Sequence, residues 1–379
     1  MAEVCFWLCL LLLFYAWVGY PLLVALASLF APPRPLPTGK PATASVIVAA
    51  FDEQAHIEKK LRSMLAQDHA AAFEIIVASD GSTDDTVALA RAVAAGDARV
   101  RVLDLPRRGK ADALNDAALV ARYEVLVFSD ADTYWVEDTL RQLLAPMADA
   151  TVGSTVGNVS IPRLGRALSL GDRLYRRYEA FMRKAESRLG WMASADGGLF
   201  ALRRELFQPV PPQVTDDFFL TTCAPMNGKR IVYVDEAVVL DRGVDEPERQ
   251  FHRRRRITAR GLQSLAARRE LMNPLRFGFT AVALVSHKLI RRLAPLALAP
   301  LFVCNLLLWD EGAFYRLALC AQLAAYIVAV VGLFDRAGRL PKPFRFASFM
   351  LVSMTGMVAG LWRFSIGRRF ERWNPKFNR

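Results

Sequence analysis

Histidine and cysteine are scarce in this chain. The four histidines (His56, His69, His252, His287) are scattered through 379 residues, so a histidine metal cluster is not expected. The five cysteines form no CxxC pair: Cys5, Cys9, Cys304 and Cys320 lie in apolar segments and Cys223 stands alone. They read as small buried hydrophobes, which excludes a disulfide framework and a zinc site. Also missing is a basic stripe interleaved with exposed aromatics, the footprint of a single-strand binder. A nucleic-acid partner is therefore not expected, despite a formal net charge of +12. Much of that excess sits beside apolar segments, at Arg253 through Arg256, Arg291, Arg292, Lys342, Arg345, Arg368 and Arg369. Such placement favours a membrane surface and a phosphorylated ligand.

What is abundant is apolar sequence. The hydrophobic fraction is 53%, the mean hydropathy is +0.20, and charged residues still make up 23%. The two classes segregate along the chain. Residues 4–30 are long enough as a helix to cross a hydrocarbon core of about 30 Å. A signal peptide is the competing reading, with Ala25-Leu26-Ala27 as its cleavage site, but Glu3 and the absence of Lys or Arg ahead of the run oppose it. Residues 1–31 are thus expected to be a transmembrane anchor, and 32–41, rich in proline, an extended linker. Residues 42–272 alternate short apolar runs (45–49, 73–77, 100–103, 125–128) with helical patterns (54–67, 84–95, 110–121), which predicts an α/β domain on a parallel sheet. Ligands on such sheets sit at the carboxyl ends of the strands.

The chain turns apolar again over 273–379. Residues 277–290 carry His287 and Lys288 and predict an interfacial helix, followed by spans at 293–309 and 313–334. Residues 346–362 contain Gly356 and Gly360 and read as a further span or as a re-entrant or interfacial segment. The acidic loop at Asp310 and Glu311 and the net basic stretch 335–345 place the soluble domain on the cytoplasmic side. The expected location is the inner (cytoplasmic) membrane, multi-pass.

Chemistry concentrates at a few stretches. Asp130-Ala131-Asp132 follows an apolar strand. Adjacent carboxylates repel and need a cation or a shared proton, so the pair is either a site for a hard divalent ion, Mg²⁺ or Mn²⁺, or a polar turn. Asp80 ends a strand before Gly81-Ser82-Thr83, where a capped turn accounts for its neighbours but not for Asp80 itself. Arg107-Arg108-Gly109-Lys110 opens a helix; cations there oppose the helix dipole unless they face an anion. Asp216 and Asp217 follow Thr215 ahead of an apolar run and read as a cap or as a general base. The run Arg253 to Arg256 points in nearly every direction on a helix, toward lipid phosphates or a diphosphate.

Taken in order, these pieces resemble the family 2 glycosyltransferases, in the membrane-bound branch near cellulose, hyaluronan and poly-N-acetylglucosamine synthases. The resemblance spans roughly residues 42–270 and implies a GT-A fold, a Rossmann-like nucleotide-sugar-binding domain flanked by membrane helices. It implies donor binding by Ala50, Glu53, Asp80, Lys110, Asp130, Asp132 and Arg256, with Asp130 and Asp132 also on the metal as the DxD motif. Gly198 and Asp216 fall on the acceptor side, and Asp217 becomes the catalytic base. Where the polymerising synthases carry Q-x-x-R-W, Arg253 holds the Gln place, Arg256 the Arg place and Ile257 the Trp place. Lacking that aromatic platform, the chain is expected to transfer single sugars from a nucleotide-sugar, a UDP-sugar by family resemblance, to a lipid-linked or exopolysaccharide acceptor with inversion. A processive synthase and a catalytically silent nucleotide-sugar-binding subunit are the alternatives. Membrane lipids are expected partners; no protein partner is implied.

Overall fold

The computed structural model describes residues 1–32, 40–161, 167–195, 197–241, 246–335 and 339–368. Pro33 through Pro37 of the expected linker, Arg336 of the expected basic stretch and the tail from Arg369 onward lie outside the described residues.

Four strands form where the apolar runs predict them: β1 (Ala44–Ala50), β2 (Phe73–Asp80), β3 (Val100–Leu105) and β4 (Val125–Ser129). They pair in parallel in the order β3-β2-β1-β4, connected by helices Ile57–Leu65, Thr86–Gly96 and Lys110–Val120. Successive side chains point to opposite faces. Val46 and Val48 pack with Ile57, Leu61 and Met64 on one face, while Ile47 and Ile76 pack with Leu114 and Ala117 on the other. Helices on both faces are why these strands read as unbroken apolar runs.

The sheet is not parallel throughout, as expected from sequence, but mixed. With β5 (Tyr134–Trp135), β6 (Val152–Ser160), β7 (Leu199–Arg203) and β8 (Arg230–Leu240) it has eight strands in the order β3-β2-β1-β4-β7-β6-β8-β5. β7 runs antiparallel to both β4 and β6. Its register places Leu199 beside Ser129, so Gly197-Gly198 meets the carboxyl end of β4. Short apolar runs carry no strand direction, so this inversion is invisible to a periodicity argument.

Among the described residues, four helices are long and apolar enough to cross a membrane: Ala2–Leu29, Pro274–Leu307, Ala313–Leu333 and Lys342–Ser365. The chain is a membrane protein. The interfacial helix expected over 277–290 and the span expected over 293–309 are instead one helical run, Pro274–Leu307, bent at Gly278 (φ 54°). Ala294-Pro295 does not break it, because a single tight turn at Ala294–Ala297 absorbs the missing N–H. His287 and Lys288 are correspondingly buried. His287 Nδ1 lies 2.8 Å from Glu186 Oε1 and Nε2 lies 3.2 Å from Glu179 Oε2, both on helix Ala167–Leu189. Tyr20 of the first apolar helix donates to the same Glu186 (2.7 Å).

Residues 346–362 form part of a continuous helix, not a re-entrant segment. Gly356 and Gly360 serve close packing against helix Pro247–Ala267: a Cβ on Gly360 would fall 2.6 Å from Arg255 O, and one on Gly356 2.8 Å from Phe251 O. Small residues let helix backbones approach in a membrane setting. Gly360→Leu should therefore lower the thermal unfolding midpoint in detergent, through an overpacking penalty of about 1–3 kcal/mol. An unchanged midpoint would refute this contact.

Candidate active site

A cleft of about 680 Å³ lies beyond the carboxyl ends of β1, β2 and β4. It gathers every residue nominated from sequence: Ala50, Glu53, Asp80, Lys110, Asp130, Asp132, Gly198, Asp216, Asp217 and Arg256 all line it.

The floor is built from strand ends. After β1, Asp52 takes a left-handed conformation (φ 52°) and its Oδ1 accepts from Thr83 N (2.8 Å), while Glu53 N donates to Thr86 Oγ1 (2.7 Å). The turns after β1 and β2 are thereby tied together. Asp80, buried at the end of β2, accepts from Arg108 N (2.7 Å) and Gly109 N (2.8 Å) on Oδ1 and from Arg107 Nη1 (2.9 Å) on Oδ2. Gly109 permits this turn with a φ of 116°.

The basic run thus divides its work. The Arg107 guanidinium stacks 3.3 Å from the Phe51 ring centroid, and Arg108 pairs with Asp116. Lys110 reaches across the cleft, donating to Asp130 Oδ1 (2.8 Å) and contacting Asp216 Oδ2 (3.0 Å). Burial alone would push the Lys110 pKa down, but the charges of Asp130 and Asp216 more than offset this and raise it, so Lys110 stays protonated.

The two carboxylates after β4 behave differently. Burial opposes charge on Asp130, yet Lys110, then Lys60 and Arg256, outweigh it and hold its carboxyl below the usual range. Asp132 is pushed up to about 6 by burial and by the charges of Asp130 and Asp241. Two hard oxygen donors on one turn, with repulsion left over at Asp132, suit a divalent cation that completes its shell on diphosphate oxygens.

Across the cleft, Asp217 occupies the first turn of helix Asp216–Thr221. Its Oδ1 accepts from Phe218 N (2.7 Å) and its Oδ2 from Gly197 N. The arginine run also divides. Arg253 and Arg254 line the cleft but contact buried Asp172 at 3.3 and 3.8 Å, whereas the Arg256 side chain lines the cleft and makes no hydrogen bond or ion pair with another described residue. Burial, then Arg253 and Arg260, lower its pKa to about 10, so it remains a cation at neutral pH. Ile257 lines the cleft beside it.

Sequence reading does not point to Lys60. It sits in helix Ile57–Leu65, fully buried beneath the turn that carries Asp130 and Asp132, with its pKa lowered to about 7 by burial. The one available signal is a lysine at the helical spacing of Ile57, Leu61 and Met64, on the face that packs against the sheet.

A parallel half-sheet closed by antiparallel strands, with paired carboxylates at a strand end, defines a GT-A nucleotide-sugar transferase fold. Residues 45–210 match the Glycosyl transferase family 2 model. It is 34% identical over 106 residues to the succinoglycan biosynthesis protein ExoU of Rhizobium meliloti, covering 28% of this chain and 30% of that protein. It is 24% identical over 196 residues to poly-beta-1,6-N-acetyl-D-glucosamine synthase of Staphylococcus aureus, covering 49% and 47%. The chain therefore spans between about a third and a half of these curated relatives. Among solved structures it is similar to the mannosyltransferase PcManGT from Pyrobaculum calidifontis in complex with GDP-Man and Mn²⁺. The TM-score is 0.73 at 25% identity, over 97% of this chain and 100% of that one.

With its pKa pushed up to about 6, the Asp132 carboxyl is largely ionised at neutral pH and takes up a proton, which competes with a cation, as pH falls through that value. Metal-dependent donor binding should accordingly weaken as pH falls through about 6. Titrations of Mn²⁺ at stepped pH would read this as a rising half-saturation concentration; a flat profile would exclude Asp132 from the metal.

Proposed function

We propose that the chain transfers one sugar from a nucleotide-sugar donor to a lipid-linked or exopolysaccharide acceptor, with inversion, at the cytoplasmic face of the inner membrane. The observation that carries this reading is the convergence on one cleft of Asp130 and Asp132 from one loop, Asp217 from another, and the cations Lys110 and Arg256. A divalent ion, Mg²⁺ or Mn²⁺, would be held by Asp130 and Asp132 and would neutralise charge on the departing nucleoside diphosphate. Lys110 and Arg256 receive the same charge from the protein side, Arg256 as a guanidinium whose planar fork matches phosphate oxygens. Asp217 takes the proton of the acceptor hydroxyl. That oxygen then bonds to the anomeric carbon as the carbon–oxygen bond to the diphosphate breaks, which inverts the configuration.

The remaining cleft residues have positioning roles. Ala50 and Glu53 flank the nucleotide. Asp80 orders the Arg107–Gly109 turn, and the remaining lone pair on its Oδ2 accepts from a nucleobase N–H. Asp216 orients Lys110, and Gly198 shapes the acceptor side. The bound donor of the Pyrobaculum calidifontis mannosyltransferase makes GDP-Man, beside the UDP-sugars, the first donor to screen. A lipid-linked acceptor is favoured because Lys288, Arg292 and Met357 of the membrane helices line the same cleft. Ile257 in the cleft, where the polymerising synthases place an aromatic, favours single transfer over processive extension.

Asp217→Asn should abolish transfer, by about 10²-fold or more, while leaving donor affinity within a few-fold. Lost donor affinity would mean that Asp217 is structural or metal-bound. Asp132→Ala should instead weaken metal-dependent donor binding, measured by calorimetry with and without Mn²⁺; unchanged binding would remove it from the site. Mass analysis of the product should show one added sugar, and long polymer would contradict single transfer.

A further inference from the structure

Lys60 is at 0% exposure on the apolar face of helix Ile57–Leu65, and it forms no ion pair with another described residue. Burying an amine without an ion-pair partner is unfavourable, and a hydrophobe of similar volume at such a position is often neutral or stabilising. Its presence here calls for an explanation outside packing.

The hydrogen bonds supply one. Lys60 Nζ donates to Ser129 Oγ (2.7 Å) and Thr133 Oγ1 (3.1 Å), which bracket Asp130-Ala131-Asp132 on both sides. Thr133 Oγ1 in turn donates to Asp130 O (3.0 Å). Ser129 Oγ donates to Gly198 O (3.0 Å) and also accepts from Trp135 Nε1 (3.0 Å), so its hydrogen-bonding capacity is used in full. Gly198 follows Gly197, whose N–H holds the Asp217 carboxylate. One buried ammonium therefore stands at the root of two chains: Thr133 to the metal-side turn, and Ser129 through the glycine pair to the base-side carboxylate.

We propose that Lys60 is a positioning residue that sets the spacing between Asp130 and Asp132 on one side and Asp217 on the other. This inference rests on the roles assigned to those aspartates above. The lysine touches neither donor nor acceptor. It acts through Ser129, Thr133 and Gly198, and holds the carboxylates in register before a donor arrives.

The test uses the full chain in nanodiscs and compares wild type with Lys60→Met. Methionine matches the volume and removes both charge and donors, so the unfolding midpoint should stay level or rise. The Mn²⁺ concentration for half-maximal donor binding should increase ~10-fold and kcat should fall ~10–100-fold. Lys60→Gln, which keeps a donor amide, should recover part of kcat. Adding Ser129→Ala to Lys60→Met should change kcat less than ~2-fold, because both act in one network. Ser129→Ala and Thr133→Val interrupt the network from its other end and should move Mn²⁺ half-saturation in the same direction, so the idea stays testable even if Lys60→Met does not fold. Unchanged Mn²⁺ half-saturation and kcat in these variants would overturn the proposal, whatever their stability. A wild type without metal-dependent donor binding would instead sink the functional reading on which it stands.

Discussion

Carboxylates that share a cleft repel one another unless cations stand between them, and this cleft contains Asp130, Asp132, Asp216 and Asp217 together. Lys110 is placed between two of them, 2.8 Å from Asp130 and 3.0 Å from Asp216. That bridge joins three chain segments remote in sequence: the helix after β3, the turn after β4 and the helix that begins at Asp216. Removing the ammonium would leave two half-buried carboxylates facing each other across the cleft, where unpaired charge is costly. The bridge leaves Asp132 with surplus repulsion, while Asp217 accepts from the backbone N–H groups of Phe218 and Gly197, one carboxylate suited to a metal and the other to a proton. Lys110 holds Asp130 from the cleft side, and Lys60 supports the same turn from below.

Much of this was readable from the chain before any coordinates. Strands buried on both faces must be continuously apolar, so β1, β2 and β4 announced themselves, and in a parallel array their carboxyl ends locate the ligand. Asp80, Asp130 and Asp132 follow such runs directly. Asp217 is less determined locally, because a carboxylate at a helix start also caps it; the base reading comes from the ordered set of motifs. What stayed hidden depends on partners distant in sequence. The direction of β7 follows from its pairing with β4, more than 70 residues earlier in sequence. The split of the arginine run follows from Asp172, which engages Arg253 and Arg254 and leaves Arg256 to the cleft. Gly356 and Gly360 left residues 346–362 open between readings, and their packing role depends on helix Pro247–Ala267 lying against them.

The sheet and the membrane helices are coupled by buried polar contacts as well as by apolar packing. Glu179 and Glu186 of helix Ala167–Leu189 receive His287 and Arg291 from the helical run Pro274–Leu307, and Tyr20 from the first apolar helix joins at Glu186. Ionisable groups within an apolar span are costly and point inward. Here they meet carboxylates on a helix that lines the same cleft. The cleft is thereby tied to the apolar helices through buried polar contacts, an arrangement consistent with the lipid-linked acceptor proposed above.

The central claim is geometric: a nucleotide-sugar lies with its diphosphate toward Asp130, Asp132, Lys110 and Arg256 and its anomeric carbon toward Asp217. The most direct measurement is a structure of the protein with Mn²⁺ and a non-hydrolysable donor analogue, with the ion located by its anomalous scattering. The account predicts manganese bound by the Asp130–Asp132 turn, and the Asp217 carboxylate on the face of the anomeric carbon opposite the leaving oxygen. Manganese elsewhere, or Asp217 on the same side as the diphosphate, would contradict it.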